Sequence, residues 1–146
     1  MTVAGVLIDM GGVLCDVDEA RAYAAWEAHT KLPAEALRIE LYDRGLKEEF
    51  DKGLKQPGGV SLFLKYRFEI EFSKADWANI WSAAVSANAA MDEFAKALAA
   101  QVPTALASTT DKVHHTKLKS ELKCLELFRA QAVSYEIGYI KPDSRL

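Results

Sequence analysis

Three polar signals in this sequence stand where a run of apolar residues ends. Asp9 closes the run from Val3 to Ile8 and is followed by Gly11 and Gly12. Ser108 and Thr109 close the run Val102 to Ala107, and Lys141 precedes Pro142 after a weaker run at 130–134. A short apolar run closed by turn residues suits a strand buried on both faces, as in a parallel sheet. In an open parallel sheet, ligands bind beyond the carboxyl ends of the strands. Taken singly the three signals are ordinary. An Asp after a strand is most often a turn or cap residue, a Ser-Thr pair before a helix most often an N-cap, and a Lys before Pro a solvated loop residue. Their joint placement at strand ends is what points to a site. Asp16 and Asp18 add carboxylates near Asp9 in sequence, and a hinge or capping role is the leading reading for Asp16.

Other reactive side chains read as structural. His114 and His115 are adjacent, so on a helix they point about 100° apart and make no i, i+4 metal pair; a solvated face is the expectation. Lys112, Lys117, Lys119 and Lys123 alternate with Glu121 and Glu126 and have no interleaved aromatics, which describes a charged helix surface and not a nucleic-acid footprint. Cys15 and Cys124 are too few and too distant for a disulfide scaffold or a zinc pattern, and Cys15 reads as a small buried hydrophobe. Gly11-Gly12 lacks the spacing of a dinucleotide-binding loop. Lys plus Arg number 18 against 21 acids, a net charge of −3, so there is no general attraction to nucleic acid or to an anionic membrane. A small anionic ligand needs only a local site. The start lacks a basic segment, Asp9 interrupts its apolar run, and the uncharged stretch between Asp76 and Asp92 carries Asn and Ser. No signal peptide or membrane span is expected, and the expected location is cytoplasmic.

The elements that must position these groups alternate. With 146 residues, half of them hydrophobic, the chain is one domain's worth and can bury a core. After the first strand, helix formers dominate for some seventy residues. Pro33 suits the first turn of a helix carrying Leu37 and Leu41, with Gly45 as its stop. A second helical piece runs through Glu48-Glu49-Phe50 to Gly53, and Gln56-Pro57-Gly58-Gly59 reads as a turn. Ser73 to Asp76 matches a capping box, followed by an apolar face of Trp77, Ile80, Trp81, Ala84 and Val85. Phe94 and Leu98 continue the pattern on a helix near 91–100. Ser108 to Asp111 suits the cap of a helix near 111–123. The order strand, helical insertion, helix, strand, helix, strand argues for an α/β parallel sheet with right-handed crossovers. The boundaries expected are 1–16 and 89–146 for the α/β core and 17–88 for the helical insertion.

At this point the sequence resembles a known family. Val6-Leu7-Ile8-Asp9-Met10-Gly11-Gly12-Val13-Leu14 looks like the first motif of the haloacid dehalogenase-like (HAD) hydrolases. Val102 to Ser108 looks like their second motif, and Ser134 to Asp143, with Lys141, like their third. The helical insertion sits where family members carry a small α-helical cap. The resemblance implies a Rossmann-like core and phosphoryl transfer through an aspartyl-phosphate, with Asp9 as nucleophile. It implies that Ser108 and the Thr109 amide hold phosphate oxygens and that Lys141 steers Asp9 and offsets phosphoryl charge. Magnesium would bridge the phosphate and Asp9, with the Gly11 backbone carbonyl as a further ligand. The cap would close over the site and select the leaving group.

Two departures accompany the resemblance. Phosphatases of this family usually carry a second Asp, a general acid and base, at the position of Gly11; some branches read Asp-x-Gly there. The fourth motif, an acidic pair that completes magnesium binding, has no place before Leu146. The expectation is a truncated or degenerate domain whose first strand is an open apolar edge, a surface for self-association. The leading function is a magnesium-dependent phosphatase of a small phosphorylated metabolite. The Asp-x-Gly branch includes sugar-phosphate phosphatases, and a dehalogenase fits less well beside Gly11 and Gly12. The alternative is a catalytically silent binding module of the same family.

Overall fold

The computed structural model describes residues 3–146. Along the chain, strand β1 (Val6–Ile8) leads through a tight loop to β2 (Cys15–Val17). The chain then enters a helical unit: α1 (Glu19–Thr30), α2 (Ala34–Arg38) running into a π-helical turn (Ile39–Asp43), α3 (Leu46–Asp51), α4 (Pro57–Phe68) and α5 (Lys74–Ser82). It returns through β3 (Val85–Ala87) and α6 (Ala89–Ala99) to β4 (Thr104–Ser108). Helix α7 (Lys112–Glu121), a 3₁₀ turn (Lys123–Glu126), β5 (Ala130–Val133) and α8 (Ser134–Ile137) complete it.

Strands β1, β4 and β5 form a parallel sheet in the order β1-β4-β5. Leu7 lies opposite Ala105, and Ser108 opposite Val133. Because the strands are parallel, the residues that follow β1, β4 and β5 emerge at one edge of the sheet. The first strand is not buried on both faces, as its apolar run alone suggests; it is the open apolar edge expected from the missing fourth motif. β1 is an edge strand and Leu7 is 69% exposed, because among the described residues only β4 flanks it. β2 and β3 pair antiparallel, with Val17 opposite Val85. They form a two-stranded ribbon where the chain leaves the sheet layer and returns to it.

Two apolar cores result. One, within the helical unit, gathers Trp26, Leu37, Leu41, Phe50, Val60, Leu64, Trp77 and Trp81, all at most 1% exposed. Trp77 and Trp81 stack at a centroid separation of 5.2 Å, as residues one helical turn apart on one face can. The other core lies between the sheet and its helices and includes Met10, Leu14, Cys15, Ala95, Leu106, Leu118 and Val133. Val113 of α7 belongs to the helical unit's core, so α7 joins the two layers.

Local chemistry explains most boundaries. Ser73 and Asp76 form both bonds of the capping box, 3.1 and 2.8 Å. Asn88 caps α6 and Asp111 caps α7. The segment Gln56–Gly59 is not a free turn. Pro57 sits in the first helical turn of α4, where its fixed φ and missing N–H carry no penalty, and burial of Val60 and Leu64 outweighs the low helix propensity of Gly58 and Gly59. Phe94 does not continue the buried face of α6. That face is Met91, Ala95 and Leu98, and Phe94 is 58% exposed. The π turn draws Glu40 inside, where Arg44 and Arg67 bind one carboxylate oxygen at 2.6 and 2.7 Å.

Candidate active site

Asp9 follows β1 directly and enters a loop closed on itself. The N–H groups of Leu14 and Cys15 both donate to the Met10 carbonyl, and Gly12 donates to Cys15. Gly12 takes φ +72°, a conformation that favours glycine. The Met10 N–H donates to Asp9 Oδ1 at 2.7 Å, which fixes the carboxylate against its own loop. Cys15 is buried behind it, its thiol 3.4 Å from the Met10 carbonyl. Burial pushes that thiol up to about 11, so it stays protonated and serves packing.

At the end of β4, Ser108 is buried and Thr109 exposed. The Ser108 hydroxyl makes a long 3.5 Å contact with the Thr109 carbonyl. The next residue, Thr110, is tied to the turn after β5: its N–H donates to Ser134 Oγ at 2.9 Å and its carbonyl accepts from that hydroxyl at 2.8 Å. Asp111 then receives the Val113 and His114 amides at 2.9 and 3.0 Å and opens α7. Lys141 comes from beyond α8. Its backbone N–H donates to Thr109 Oγ1 at 3.0 Å, and its ammonium lies 2.9 Å from Asp9 Oδ1. Both side chains of that pair are partly open to solvent, 41% and 45% exposed.

The structure therefore brings Asp9, Thr109 and Lys141 into one hydrogen-bonded group, with Ser108 adjoining. Met10, Gly11, Ser108 and Thr109 border a cavity of about 120 Å³, walled on its far side by Glu19 and Lys47 of the helical unit. A larger cavity, about 630 Å³, shares no residue with it. The smaller one adjoins the Asp9–Thr109–Lys141 group through Met10 and Thr109. Asp16 lies on β2 opposite Ser86, and Asp18 caps α1 through the Ala20 amide.

A second group of polar residues stands beside this cavity and was not visible in the sequence. Asp111 is fully buried and accepts the Trp81 indole N–H at 2.7 Å; His114 Nδ1 lies 3.1 Å from it. His114 Nε2 faces the Trp81 carbonyl at 2.9 Å, and the two rings stack at 4.9 Å. Lys47 lies 3.9 Å from Asp111 and holds Asp51 at 2.6 Å. Burial by itself would raise the Asp111 carboxyl; His114, Lys47 and the amides outweigh it and hold the group at about 2. Asp51 goes the other way, raised by burial against the pull of Lys47. His114 and His115 are thus buried, not on a solvated face. His115 packs against Tyr135, its Nδ1 2.9 Å from the phenol, and burial lowers its pKa. The lysines around the histidines obscured this in the sequence. Lys117 is itself half-buried, donating to the Ser82 and Val85 carbonyls at 3.0 and 2.6 Å.

Among the described residues, no group of three or more His, Cys, Asp or Glu side chains is placed to hold a metal. The donors on the first loop are hard oxygens, the Asp9 carboxylate and the Gly11 carbonyl. Such a pair fits magnesium, which keeps several waters and binds through one or two carboxylates together with a substrate phosphate. It does not make an all-protein cage. Among the described residues, no helix is long and apolar enough to cross a membrane.

No family model matches the sequence, and no curated protein matches it. Solved structures do match. The HAD family enzyme bt-2542 from Bacteroides thetaiotaomicron superposes with a TM-score of 0.86 at 20% identity, covering 98% of this chain and 74% of that one. The same enzyme in complex with magnesium and inorganic phosphate gives 0.85 at 19% identity, over 97% and 74%. A predicted HAD-like family hydrolase from Porphyromonas gingivalis gives 0.81 at 17% identity, over 97% and 71%.

Proposed function

We propose that this chain, which has the fold of the HAD-like hydrolases over nearly all its described length, is a magnesium-dependent phosphatase of a small phosphorylated metabolite. The observation that carries the reading is the convergence of Asp9, Thr109 and Lys141 from three separate segments, 2.9 and 3.0 Å apart. Asp9 Oδ1 receives both the Met10 amide and the Lys141 ammonium. Oδ2 takes part in neither bond, and its lone pair attacks phosphorus. The Oδ2–P bond forms, the ester P–O bond breaks, and the leaving oxygen takes a proton from solvent. Water then hydrolyses the aspartyl-phosphate and frees Asp9. Ser108 and Thr109, ahead of α7, hold the phosphoryl oxygens by hydroxyl and amide donors. Lys141 offsets charge that grows on those oxygens. The Asp9 carboxylate and the Gly11 carbonyl are the groups that would hold magnesium, which when bound supplies positive charge to the phosphoryl oxygens. Helices α1 to α5 act as the cap, presenting Glu19 and Lys47 to the leaving group.

The test is hydrolysis of an aryl phosphate and of several sugar phosphates, with and without magnesium, beside Asp9→Asn. The expected result is magnesium-dependent turnover that the Asn variant lacks. Equal rates in the folded variant and the parent would overturn the reading and leave a binding module, the role that Gly11 and the sparse metal donors favour.

A further inference from the structure

The larger cavity lies away from Asp9, where the first turn of α4 meets α5 and α7. Its volume, about 630 Å³, falls within the usual range for small-molecule sites. Pro57, Ala78 and Val113 supply apolar wall, and Lys74, Lys112 and Lys117 also line it. No Asp or Glu lines it, although the chain as a whole carries a net charge of −3. Lys47, Lys52, Lys55, Lys65 and Lys96 each lie within 2.8 Å of a carboxylate oxygen, whereas Lys31 on the helical unit and Lys119 on α7 have no such partner among the described residues. Among the described residues, Lys74 and Lys112 form no ion pair. Lys117 is pinned rather than paired. It spends two of its three donors on the Ser82 and Val85 carbonyls, which leaves one N–H.

We propose that this cleft is a second binding site, for a small organic anion with an apolar body and a phosphoryl, sulfonyl or carboxylate head. The head sits among the three lysines, and the body lies on Pro57, Ala78 and Val113. The arrangement matches what such a ligand needs, a mostly apolar wall with a few convergent polar groups. Its walls come from both layers, since α4 and α5 belong to the helical unit and α7 follows the Ser108–Thr109 loop. An occupant therefore bridges the two layers, with no residue in common with the smaller cavity beside Met10 and Thr109.

The test uses the full chain and 1-anilinonaphthalene-8-sulfonate, an apolar body with a sulfonate that no phosphatase consumes. Fluorescence titration is expected to show one saturable site. Affinity should fall at least tenfold in the Lys74→Glu, Lys112→Glu double variant and stay unchanged in Lys141→Met. Both reversed lysines are exposed, so the variant should fold, and circular dichroism checks that it does. Amide chemical-shift changes should centre on Gly58, Ala78 and Val113. Unsaturable binding, equal affinity in the double variant, or shifts centred on Thr109 would each overturn the proposal. The readout contains no turnover, so it stands or falls apart from the role of Asp9.

Discussion

Replacing Gly53 by alanine should damage both stability and the site, by an amount that a second glycine calibrates. Gly53 ends α3 at φ +69°, and a Cβ built there would lie 2.0 Å from the Tyr135 carbonyl oxygen and 2.9 Å from its carbon. An ordinary C···O approach is about 3.3 Å, so backbone must move by roughly 1.3 Å. The obstacle is main chain and cannot swing aside as a side chain would. Tyr135 neighbours Ser134, whose hydroxyl holds the Thr110 amide and carbonyl, so the displacement reaches the loop that carries Thr109. Gly45 has a similar φ, +79°, but nothing within 4 Å of its Cβ position. Gly45→Ala should therefore cost only the left-handed conformation, roughly 1–2 kcal/mol. Gly53→Ala adds an overpacking cost of about 1–3 kcal/mol. The gain from a stiffer unfolded chain is common to both and cancels. Urea unfolding of the two variants measures the difference directly. Amide shifts of Thr109 and Thr110 should move in Gly53→Ala alone. Stability losses equal within about 0.5 kcal/mol would refute the close approach and the reasoning built on it.

Other expectations are briefer. The Asp111 carboxyl sits at about 2 in the fold, below its ordinary 3.8; the ionised form thus favours folding, and its contribution of about 2 kcal/mol is present above pH ~4 and lost as pH falls toward ~2. Urea midpoints measured down the acid limb should show that loss, and Asp111→Asn should flatten it. Asp51, raised by burial, has the opposite sign: its contribution is present at low pH and lost as pH rises through its folded pKa, so Asp51→Asn should steepen the acid limb. Trp81→Phe removes the indole donor to buried Asp111 and should cost about 1–3 kcal/mol by thermal or urea unfolding. Because Gly11 offers no side-chain proton, turnover should depend steeply on leaving-group acidity across a series of aryl phosphates; a flat dependence would indicate a general acid elsewhere.

The candidate site was legible in the sequence because its members are punctuation marks. Asp9, Ser108 and Lys141 each interrupt or follow an apolar run, and strand order does the rest. The capping box at Ser73 and the tryptophan face of α5 were legible for the same reason, since both depend on residues within one or two turns. What escaped depends on residues distant in sequence. Nothing near Lys47 distinguishes it from other surface lysines until α3 packs beside Trp81 and Asp111. His114 and His115 sit in a lysine-rich helix, yet α7 is wedged between two cores and turns both rings inward. The glycines of α4 signal a turn locally, and only the burial of Val60 and Leu64 makes that segment helical. The edge position of β1 was legible only from the missing fourth motif, since the apolar run Val3 to Ile8 taken alone suits a strand buried on both faces.

The ribbon of β2 and β3 carries a consequence for chain connectivity. Val17 and Val85 stand opposite each other, and the Asp18 N–H reaches the Ala84 carbonyl at 2.7 Å. The whole helical excursion thus departs and lands at adjacent points, like a bracketed clause. To the sheet layer, its entry and exit have the spacing of a hairpin, whose ends a two-residue turn can join. The sheet layer therefore reads the excursion through two kinds of tie. One is the hairpin-like gate at Val17 and Val85, which keeps the chain's exit and return in step. The other is the side contacts of Gly53 with Tyr135 and of Trp81 with Asp111, through which the contents of the bracket bear on the loops beside Asp9.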